Sequence, residues 1–493
     1  MFTRTDYTNK QNLQEQPIKM KKTSMLISSF LILTTSMVAQ VANPLIGTWE
    51  GTLHVGADLR IVFHIKANAF AELSGTADSP DQMAYGLKCD TTYTKDDSLF
   101  IEMRNLKARY TGKLVSDSLI EGMFSQLSLT PLVLRKVEKA TVRKRPQTPV
   151  PPFPYRSEDV EYDNADKSLH YGATITIPQG SGPFPAAVMI TGSGAQNRDE
   201  ELLGHKLFAV IADYLTRKGY IIMRVDDRGV GKTTGRFAES TSADFAKDVN
   251  ASLAYLLSRA EVDKHKVGLI GHSEGGMIAP MVAVQRKDIK FIILLAGPGV
   301  KIIDLMVEQN AAILRSVKIS ERAIEAYKPL YKKVVMQIIQ SPDTAIAMVT
   351  VKRMLNDWYA STDTTLSKEL DMQDAANRDR IAKTLVAGMY SPWFKYFLAF
   401  DPATYLTKLN TKVLALNGDR DIQVISKQNL PGMLASLKKS RTKNYTVLEM
   451  PGMNHLFQKC NKCTLEEYGE LEESFSPEAL KVMGDWLDKN VKK

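Results

Sequence analysis

The segment Gly271–Gly275, which reads Gly-His-Ser-Glu-Gly, restricts the possible folds of this chain more than any other feature. The apolar run Val267–Ile270 before it is typical of a buried strand, and the small residues Gly276–Ala279 after it are typical of a helix start. A side chain at either flanking glycine would clash across so sharp a turn. The pattern therefore predicts that Ser273 presents its hydroxyl at a strand-to-helix turn, as a candidate nucleophile beside a helix N-terminus.

Two later segments supply the other members of a candidate catalytic triad. Val413–Asn417 reads as a short apolar strand, and the turn that follows it carries Asp419 and Asp421. Tyr445–Met450 reads as another strand, and the loop after it contains His455, the only one of seven histidines in such a position. The order serine, acid, histidine fits a nucleophile of this kind. We assign His455 as the base and Asp421 as the acid, with Asp419 as an alternative that fits a turn residue better.

A second loop is expected to stabilise negative charge on the substrate. Ala186–Ile190 reads as a central strand, and two glycines in the following loop allow the backbone to approach a ligand closely. We expect the backbone N–H of Ser193 or Gly194, together with that of Glu274, to form an oxyanion hole.

The remaining pattern between these motifs alternates strands with helices. Tyr220–Asp226 and Phe291–Ala296 read as strands, whereas Leu203–Lys218 and Ser242–Ser258 repeat apolar residues at helical spacing. This alternation predicts the α/β class, with a doubly wound, mostly parallel sheet and the site at the carboxyl ends of the strands.

From about residue 300 to 409 the strand pattern stops, and the composition becomes helical. We expect a helical insertion there that covers the site as a lid. The helical segments are Val307–Val317, Glu321–Gln340, Thr344–Tyr359 and Ala375–Tyr390. The aromatic side chains of Trp393, Phe394 and Phe397 are candidates for a substrate pocket, and packing within the insertion is the alternative role.

Five motifs together resemble those of bacterial α/β-hydrolases of the carboxylesterase and serine-aminopeptidase-like kinds. They are Ile190–Gly194, Arg224–Gly231, Gly271–Gly276, Leu295–Gly299 and Gly452–His455. The resemblance covers roughly residues 156–493 and implies hydrolysis of an ester or amide through an acyl-enzyme, without a cofactor or a catalytic metal. We expect a carboxylesterase for small or medium acyl groups. A serine peptidase that cuts short peptides and a non-catalytic binding module are the alternatives.

The first part of the chain divides into three segments. Residues 1–39 combine an upstream extension with a basic and then apolar stretch typical of a secretory signal peptide, which predicts an exported, periplasmic or extracellular protein with no stable membrane span after cleavage. Residues 40–140 alternate as strands do and predict a small antiparallel barrel or sandwich, similar to lipocalin-like modules. Residues 141–155 are rich in proline and predict an extended linker.

Net charge bears on the class of partner, and cysteine spacing bears on possible disulfides or metal sites. The formal net charge of +9 is spread along 493 residues, which fits a small-molecule substrate better than nucleic acid. Cys460 and Cys463 lie just past the candidate base, and a disulfide, free thiols and a metal site are all open on spacing alone.

Overall fold

The computed structural model describes residues 43–492, apart from the short stretches 56–57, 69–71, 83, 127 and 141–143. The predicted signal peptide of residues 1–39 lies outside the described residues, so export stays a prediction. Within the described part of the chain, no helix combines the length and the apolar character needed to cross a bilayer.

Nine antiparallel strands form the N-terminal sheet. They are β1 Gly47–His54, β2 Asp58–Ala67, β3 Leu73–Ser79, β4 Ala84–Lys88, β5 Thr91–Lys95, β6 Ser98–Met103, β7 Ala108–Ser116, β8 Leu119–Ser125 and β9 Leu129–Val137. Their spatial order is β4-β3-β2-β1-β9-β8-β7-β6-β5. The sheet is a half-barrel around Trp49, Phe63 and Tyr110, which are fully buried. This arrangement fits the small all-β domain expected from the sequence.

The second part of the chain contains one large sheet and a short ribbon. The strands are β10 Arg156–Asp163, β11 His170–Ile177, β12 Phe184–Ile190, β13 Glu201–Leu202, β14 His205–Lys206, β15 Ile221–Val225, β16 Val262–His272, β17 Ile289–Leu295, β18 Lys412–Gly418 and β19 Tyr445–Met450. The large sheet has the order β10-β11-β15-β12-β16-β17-β18-β19, and β13 pairs with β14 alone. Strands β12 and β15 to β19 run parallel, whereas β10 and β11 are antiparallel at one edge.

Helices cover both faces of this sheet. They are α1 Leu207–Arg217, α2 Ser242–Ser258, α3 Glu274–Ala283, α4 Ile302–Ser316, α5 Glu321–Gln340, α6 Thr344–Ser361, α7 Thr364–Glu369, α8 Ala375–Met389, α9 Pro392–Ala399, α10 Ala403–Leu406, α11 Ser426–Lys438, α12 Glu467–Glu470 and α13 Pro477–Leu487. Successive side chains of β12 enter different cores. Val188 packs in the core shared with α2 and α3, and Met189 packs in the core shared with α1 and α13. The fold is therefore the expected α/β class with a doubly wound sheet.

Seven helices, α4 to α10, fill the insertion between β17 and β18. Helices α5, α6 and α8 pack around a core of their own that includes Val334, Val351 and Val386. The side chains of Ser320, Asp343 and Asp374 cap α5, α6 and α8, respectively, because each accepts a hydrogen bond from a backbone N–H of the first turn. The helical character of this stretch agrees with the sequence, whereas its action as a lid stays a prediction.

Candidate active site

The candidate nucleophile occupies a strained turn between β16 and α3. Ser273 has φ 52° and ψ −114°, a conformation that residues with a side chain rarely adopt. Glycine is required on both sides of it. A Cβ on Gly271 would come within 2.1 Å of the carbonyl oxygen of Gly275, and a Cβ on Gly275 would come equally close to the carbonyl oxygen of Ile190. The glycines allow this turn to form against β12, which exposes Ser273 at the carboxyl end of β16.

The structure brings the predicted acid and base together. His455 Nδ1 lies 2.8 Å from Asp421 Oδ2, and both side chains are almost completely buried. The other carboxylate oxygen of Asp421 accepts hydrogen bonds from the backbone N–H groups of Gln423, at 2.7 Å, and Val424, at 2.9 Å. An ionised Asp421 makes His455 Nδ1 the donor, so Nε2 is left with the lone pair that can accept a proton.

The alternative acid has a different role. Asp419 Oδ1 accepts a hydrogen bond from the backbone N–H of Gly452 at 2.6 Å, and Asp419 N–H donates to the carbonyl of Met450. These contacts join the turns that follow β18 and β19. Asp419 is thus a turn residue that holds the His455 loop against the preceding strand.

A disulfide bond joins two cysteines just beyond the His455 loop. The sulfur atoms of Cys460 and Cys463 are bonded, so of the three alternatives open from the sequence the structure contains the disulfide. The carboxylate of Glu467 accepts hydrogen bonds from the backbone N–H groups of Asn461, Lys462 and Cys463. Although Glu467 lies beside both sulfurs, bonded sulfurs lack the thiolate charge that a metal would need.

The loop after β12 passes directly beside the nucleophile. A Cβ on Gly192 would lie 3.2 Å from the Cβ of Ser273 and 2.9 Å from Glu200 Oε1, so only glycine fits there without displacement. The N–H of Gly192 donates to Glu200 Oε1 at 2.6 Å and is therefore engaged. Ser193 lines the same cavity as Ser273, whereas Gly194 is not among the described residues that do so. The choice between the N–H groups of Ser193 and Gly194 as the donor on this loop stays a prediction.

The residue after the nucleophile joins α3 to the helical insertion. Glu274 Oε1 accepts a hydrogen bond from Ser242 Oγ at 2.6 Å and another from Trp393 Nε1 at 2.9 Å. Burial raises the pKa of the Glu274 carboxyl above its usual range, against the opposing effect of its hydroxyl and indole donors. The indole of Trp393 thereby fixes α9 to the N-terminus of the helix that carries the predicted Glu274 oxyanion donor.

A cavity of about 250 Å³ opens over the nucleophile. Its lining residues are Gly192, Ser193, Gln196, Glu200, Leu202, His272, Ser273, Glu274, Pro298, Leu305, Met306, Gln309, Trp393, Phe394, Phe397, Gln423, Val424, His455 and Leu456. The three aromatic residues singled out in the sequence all line it. Trp393 and Phe397 stack with their ring centroids 5.1 Å apart, and Phe397 also belongs to the main core. The cluster of Trp393, Phe394 and Phe397 therefore both lines the cavity and packs within the protein.

One buried residue of this site carries no signal in the sequence. His272 precedes the nucleophile and is buried, with Nδ1 2.9 Å from Glu200 Oε1 and Nε2 3.0 Å from the carbonyl oxygen of His455. The position between glycine and serine in the motif accepts many residue types. Only the structure reveals that this histidine contacts both the oxyanion loop, through Glu200, and the loop of the candidate base.

Sequence comparison supports the hydrolase assignment for the second part of the chain. The profile of the family described as "Serine aminopeptidase, S33" matches residues 205–380, a range that includes Ser273 and ends before Asp421. Esterase EstD of Thermotoga maritima is 26% identical over 282 residues. That alignment covers 57% of this chain and 57% of the relative, so the chain spans little more than half the length of the esterase it matches.

Solved structures with a similar arrangement include several hydrolases. An esterase of Pyrococcus furiosus is 13% identical, with 68% of this chain and 91% of that chain covered and a TM-score of 0.40. The α/β hydrolase GrgF of a Penicillium species is 15% identical, with 69% and 100% covered and a TM-score of 0.41. Est1E of Butyrivibrio proteoclasticus, solved with ferulic acid, is 16% identical, with 68% and 100% covered and a TM-score of 0.38.

The sheet order, the family profile and the esterase relative thus support an α/β-hydrolase fold and a likeness to esterases.

Proposed function

We propose that this protein hydrolyses carboxylic esters through an acyl-enzyme on Ser273. The observation that carries the proposal is the buried hydrogen bond between His455 and Asp421, in a histidine that lines the same cavity as the strained serine. Hydrolysis by a serine nucleophile requires a histidine that an acid orients in this way beside the serine.

The first half of the reaction forms the acyl-enzyme. His455 Nε2 takes the proton of the Ser273 hydroxyl while the oxygen attacks the ester carbonyl carbon. Asp421 stays ionised and stabilises the imidazolium that results. The oxyanion of the tetrahedral intermediate receives hydrogen bonds from the backbone N–H groups of Glu274 and Ser193. His455 then gives its Nε2 proton to the leaving alcohol oxygen, and the carbon–oxygen bond of the ester breaks.

The second half regenerates the enzyme by the same groups. Water replaces the alcohol and loses a proton to His455 Nε2 as its oxygen attacks the acyl carbon. The tetrahedral intermediate collapses, Ser273 regains its proton, and the carboxylic acid leaves. Every proton transfer uses one nitrogen of one histidine, so the orientation of His455 governs both halves.

The cavity supports a preference for small or medium acyl groups. Its volume of about 250 Å³ lies below the roughly 300–1,000 Å³ of sites that hold drug-sized ligands. The walls formed by Trp393, Phe394 and Phe397 are apolar and suit an aliphatic or aromatic acyl chain.

Peptide hydrolysis by the same groups is the second candidate, and the family description favours it. An aminopeptidase needs a free carboxylate to bind the substrate ammonium group. Glu200 binds His272 and Gly192, and Glu274 binds Ser242 and Trp393. Burial also raises the pKa of Glu274, which favours its neutral form. Because Glu200 is paired with His272 and the neutral form of Glu274 is favoured, neither supplies a free charge for an ammonium group, and ester substrates fit the site better.

A substrate panel tests this choice. We expect purified protein to hydrolyse p-nitrophenyl esters from acetyl to octanoyl, with kcat/KM highest at short or medium length, and to hydrolyse aminoacyl p-nitroanilides at least 100-fold more slowly. Ser273→Ala is the matched control, because it removes one oxygen from an otherwise unchanged cavity. Faster turnover of the anilides would reverse the assignment. Equal ester turnover by the control would exclude Ser273 as the nucleophile, and no turnover by the wild type would leave the binding module as the remaining alternative.

We also propose that the protein is exported. The disulfide between Cys460 and Cys463 supports this, because disulfides persist mainly in oxidising compartments. Full-length protein produced in a bacterium with a periplasm should appear in the osmotic-shock fraction with a shortened N-terminus. Recovery only from the cytosol, with the N-terminus intact, would contradict the proposal.

A further inference from the structure

A second buried histidine–carboxylate pair borders the cavity of the candidate site. His272 is at the end of β16 and Glu200 is in the loop after β12, and 4% and 6% of their side-chain surfaces are exposed. The rings of His272 and His455 are adjacent, with centroids 4.9 Å apart. The pair therefore lies next to the candidate base without belonging to the triad.

The hydrogen bonds of the pair fix how many protons it holds. The carbonyl oxygen of His455 can only accept, so His272 Nε2 must be the donor across their 3.0 Å contact. Glu200 Oε1 lies 2.9 Å from the other ring nitrogen and already accepts the N–H of Gly192. An oxygen that accepts from one side is best satisfied by a second donor, which requires a proton on His272 Nδ1 as well.

Charge balance leads to the same conclusion. Glu200 Oε2 is buried and receives no hydrogen bond from the described residues, so an ionised Glu200 depends on a cation beside it. Burial alone would lower the pKa of His272, but the Glu200 carboxylate, the His455 carbonyl and the more distant Asp421 carboxylate outweigh it and raise that pKa. Burial raises the pKa of Asp227, another carboxyl group that interacts with Glu200, to about 8, which favours its neutral form.

We propose that His272 is held as a buried imidazolium by Glu200, and that this ion pair positions the catalytic base and the oxyanion loop together. One N–H of the imidazolium holds the backbone of His455. The other holds Glu200, which in turn fixes Gly192 at the start of the oxyanion loop. Both residues are positioning residues, since they act through the backbone of His455 and of Gly192. This role rests on the proposed function, whereas the protonation state of His272 does not.

Nitrogen NMR of the full-length protein tests the protonation state directly. With histidine labelled with ¹⁵N in the ring, we expect one buried histidine to keep protons on both ring nitrogens at pH 8. That signal should disappear in Glu200→Gln, because a neutral partner no longer holds the second proton. The exposed His170 pairs with Glu161 and Asp163, and the Glu200→Gln comparison separates its signal. Absence of any doubly protonated histidine that depends on Glu200 overturns the proposal.

The pH profile of kcat/KM tests the positioning role. In His272→Gln the Glu200 charge is left without its partner, and we expect the acid limb of the profile to move up by about one pH unit. In the double variant His272→Gln/Glu200→Gln the charge is gone, and the limb should return to within about 0.3 pH units of the wild-type limb. His272→Gln, Glu200→Gln and the double variant should each lose roughly 10–100-fold in kcat, with KM for a short ester changed less than about threefold.

Three further outcomes decide between this proposal, a purely structural role for the pair and a failure of the proposed function. Equal losses of activity with an unmoved acid limb in every variant would mean that the pair supports folding only. If His272→Gln fails to fold, the NMR comparison of wild type and Glu200→Gln decides alone. If serine-directed probes fail to label Ser273, the proposed function fails, yet the NMR result still supports or overturns the buried imidazolium.

Discussion

Arg145 and Gln147 bind the proline-rich linker to the hydrolase part of the chain, in addition to the Tyr155 hydroxyl, which donates a hydrogen bond to Asp213. The Arg145 guanidinium donates hydrogen bonds to the carbonyl oxygens of Leu203, Gly469 and Leu471, at 2.8 to 2.9 Å. The Gln147 side chain pairs with the backbone that leads into α13. We therefore predict that Arg145→Ala destabilises the second part of the chain, although the residue precedes it.

The size of the effect follows from the bonds that are lost. Arg145 is half-buried, and its three carbonyl partners belong to the turn between β13 and β14 and to the C-terminal end of α12. A hydrogen bond to a charged group contributes about 1.5–3 kcal/mol, and partial exposure reduces this, so we expect a loss of about 3 kcal/mol in the free energy of unfolding. At roughly 2 °C per kcal/mol for a domain of this size, Tm should fall by about 6 °C.

Differential scanning calorimetry of the full-length protein measures this change. Lys144→Ala is the matched control, because it removes an exposed neighbouring cation and should change stability by less than about 0.5 kcal/mol. A protein truncated to begin at residue 140 should keep the wild-type Tm of the hydrolase transition, whereas one that begins at Val150 should lose stability. Equal Tm values for Arg145→Ala and Lys144→Ala would refute the reasoning.

Four further outcomes are expected. Asp421→Asn should lower kcat about 10⁴-fold with little change in Tm, because His455 loses the acceptor that sets its tautomer; steady-state kinetics and calorimetry measure both. The kcat/KM of wild type should rise with pH, because the base must be neutral to take the Ser273 proton, and should be unaffected by EDTA. Burial raises the pKa of Asp227 to about 8, so between about pH 4 and 8 the folded state binds a proton that the unfolded state has lost. The free energy of unfolding should therefore fall as pH rises through this range, and Asp227→Asn should flatten the dependence in urea titrations. Trp393→Phe keeps the ring but loses the bond to Glu274, and we expect kcat/KM for short esters to fall about tenfold; unchanged values would show that the contact is dispensable.

The elbow was predictable because backbone geometry demands its glycines, and the pairing of Asp421 with His455 was predictable from the motif order expected after such an elbow. Glycine at 271 and 275 is a steric necessity, and the strands around Ser273 are buried on both faces, so they read as apolar runs. Helix α2 begins and ends at the predicted residues because its capping residues agree with its apolar pattern. Strand β19 also has the predicted bounds.

Edge strands and long-range contacts were not predictable. Strand β10 has the sequence Arg-Ser-Glu-Asp-Val-Glu-Tyr-Asp and lies at the edge of the sheet, where polar side chains are tolerated and the apolar alternation is lost. Strand β5, at one edge of the N-terminal sheet, is polar for a similar reason. The contacts of His272 with Glu200 and of Arg145 with Gly469 join residues far apart in the chain, and no spacing rule encodes them.

The most direct test of the central claim is the identity of the residue that a serine-directed fluorophosphonate modifies. Intact-protein mass spectrometry followed by peptide mapping should find one adduct per chain, on Ser273, in the wild-type protein. Ser273→Ala should give no adduct, and the matched control Ser193→Ala, which keeps the backbone N–H of the oxyanion loop, should label like wild type. An adduct on another residue, or undiminished labelling of Ser273→Ala, would contradict the assignment of Ser273 as the nucleophile.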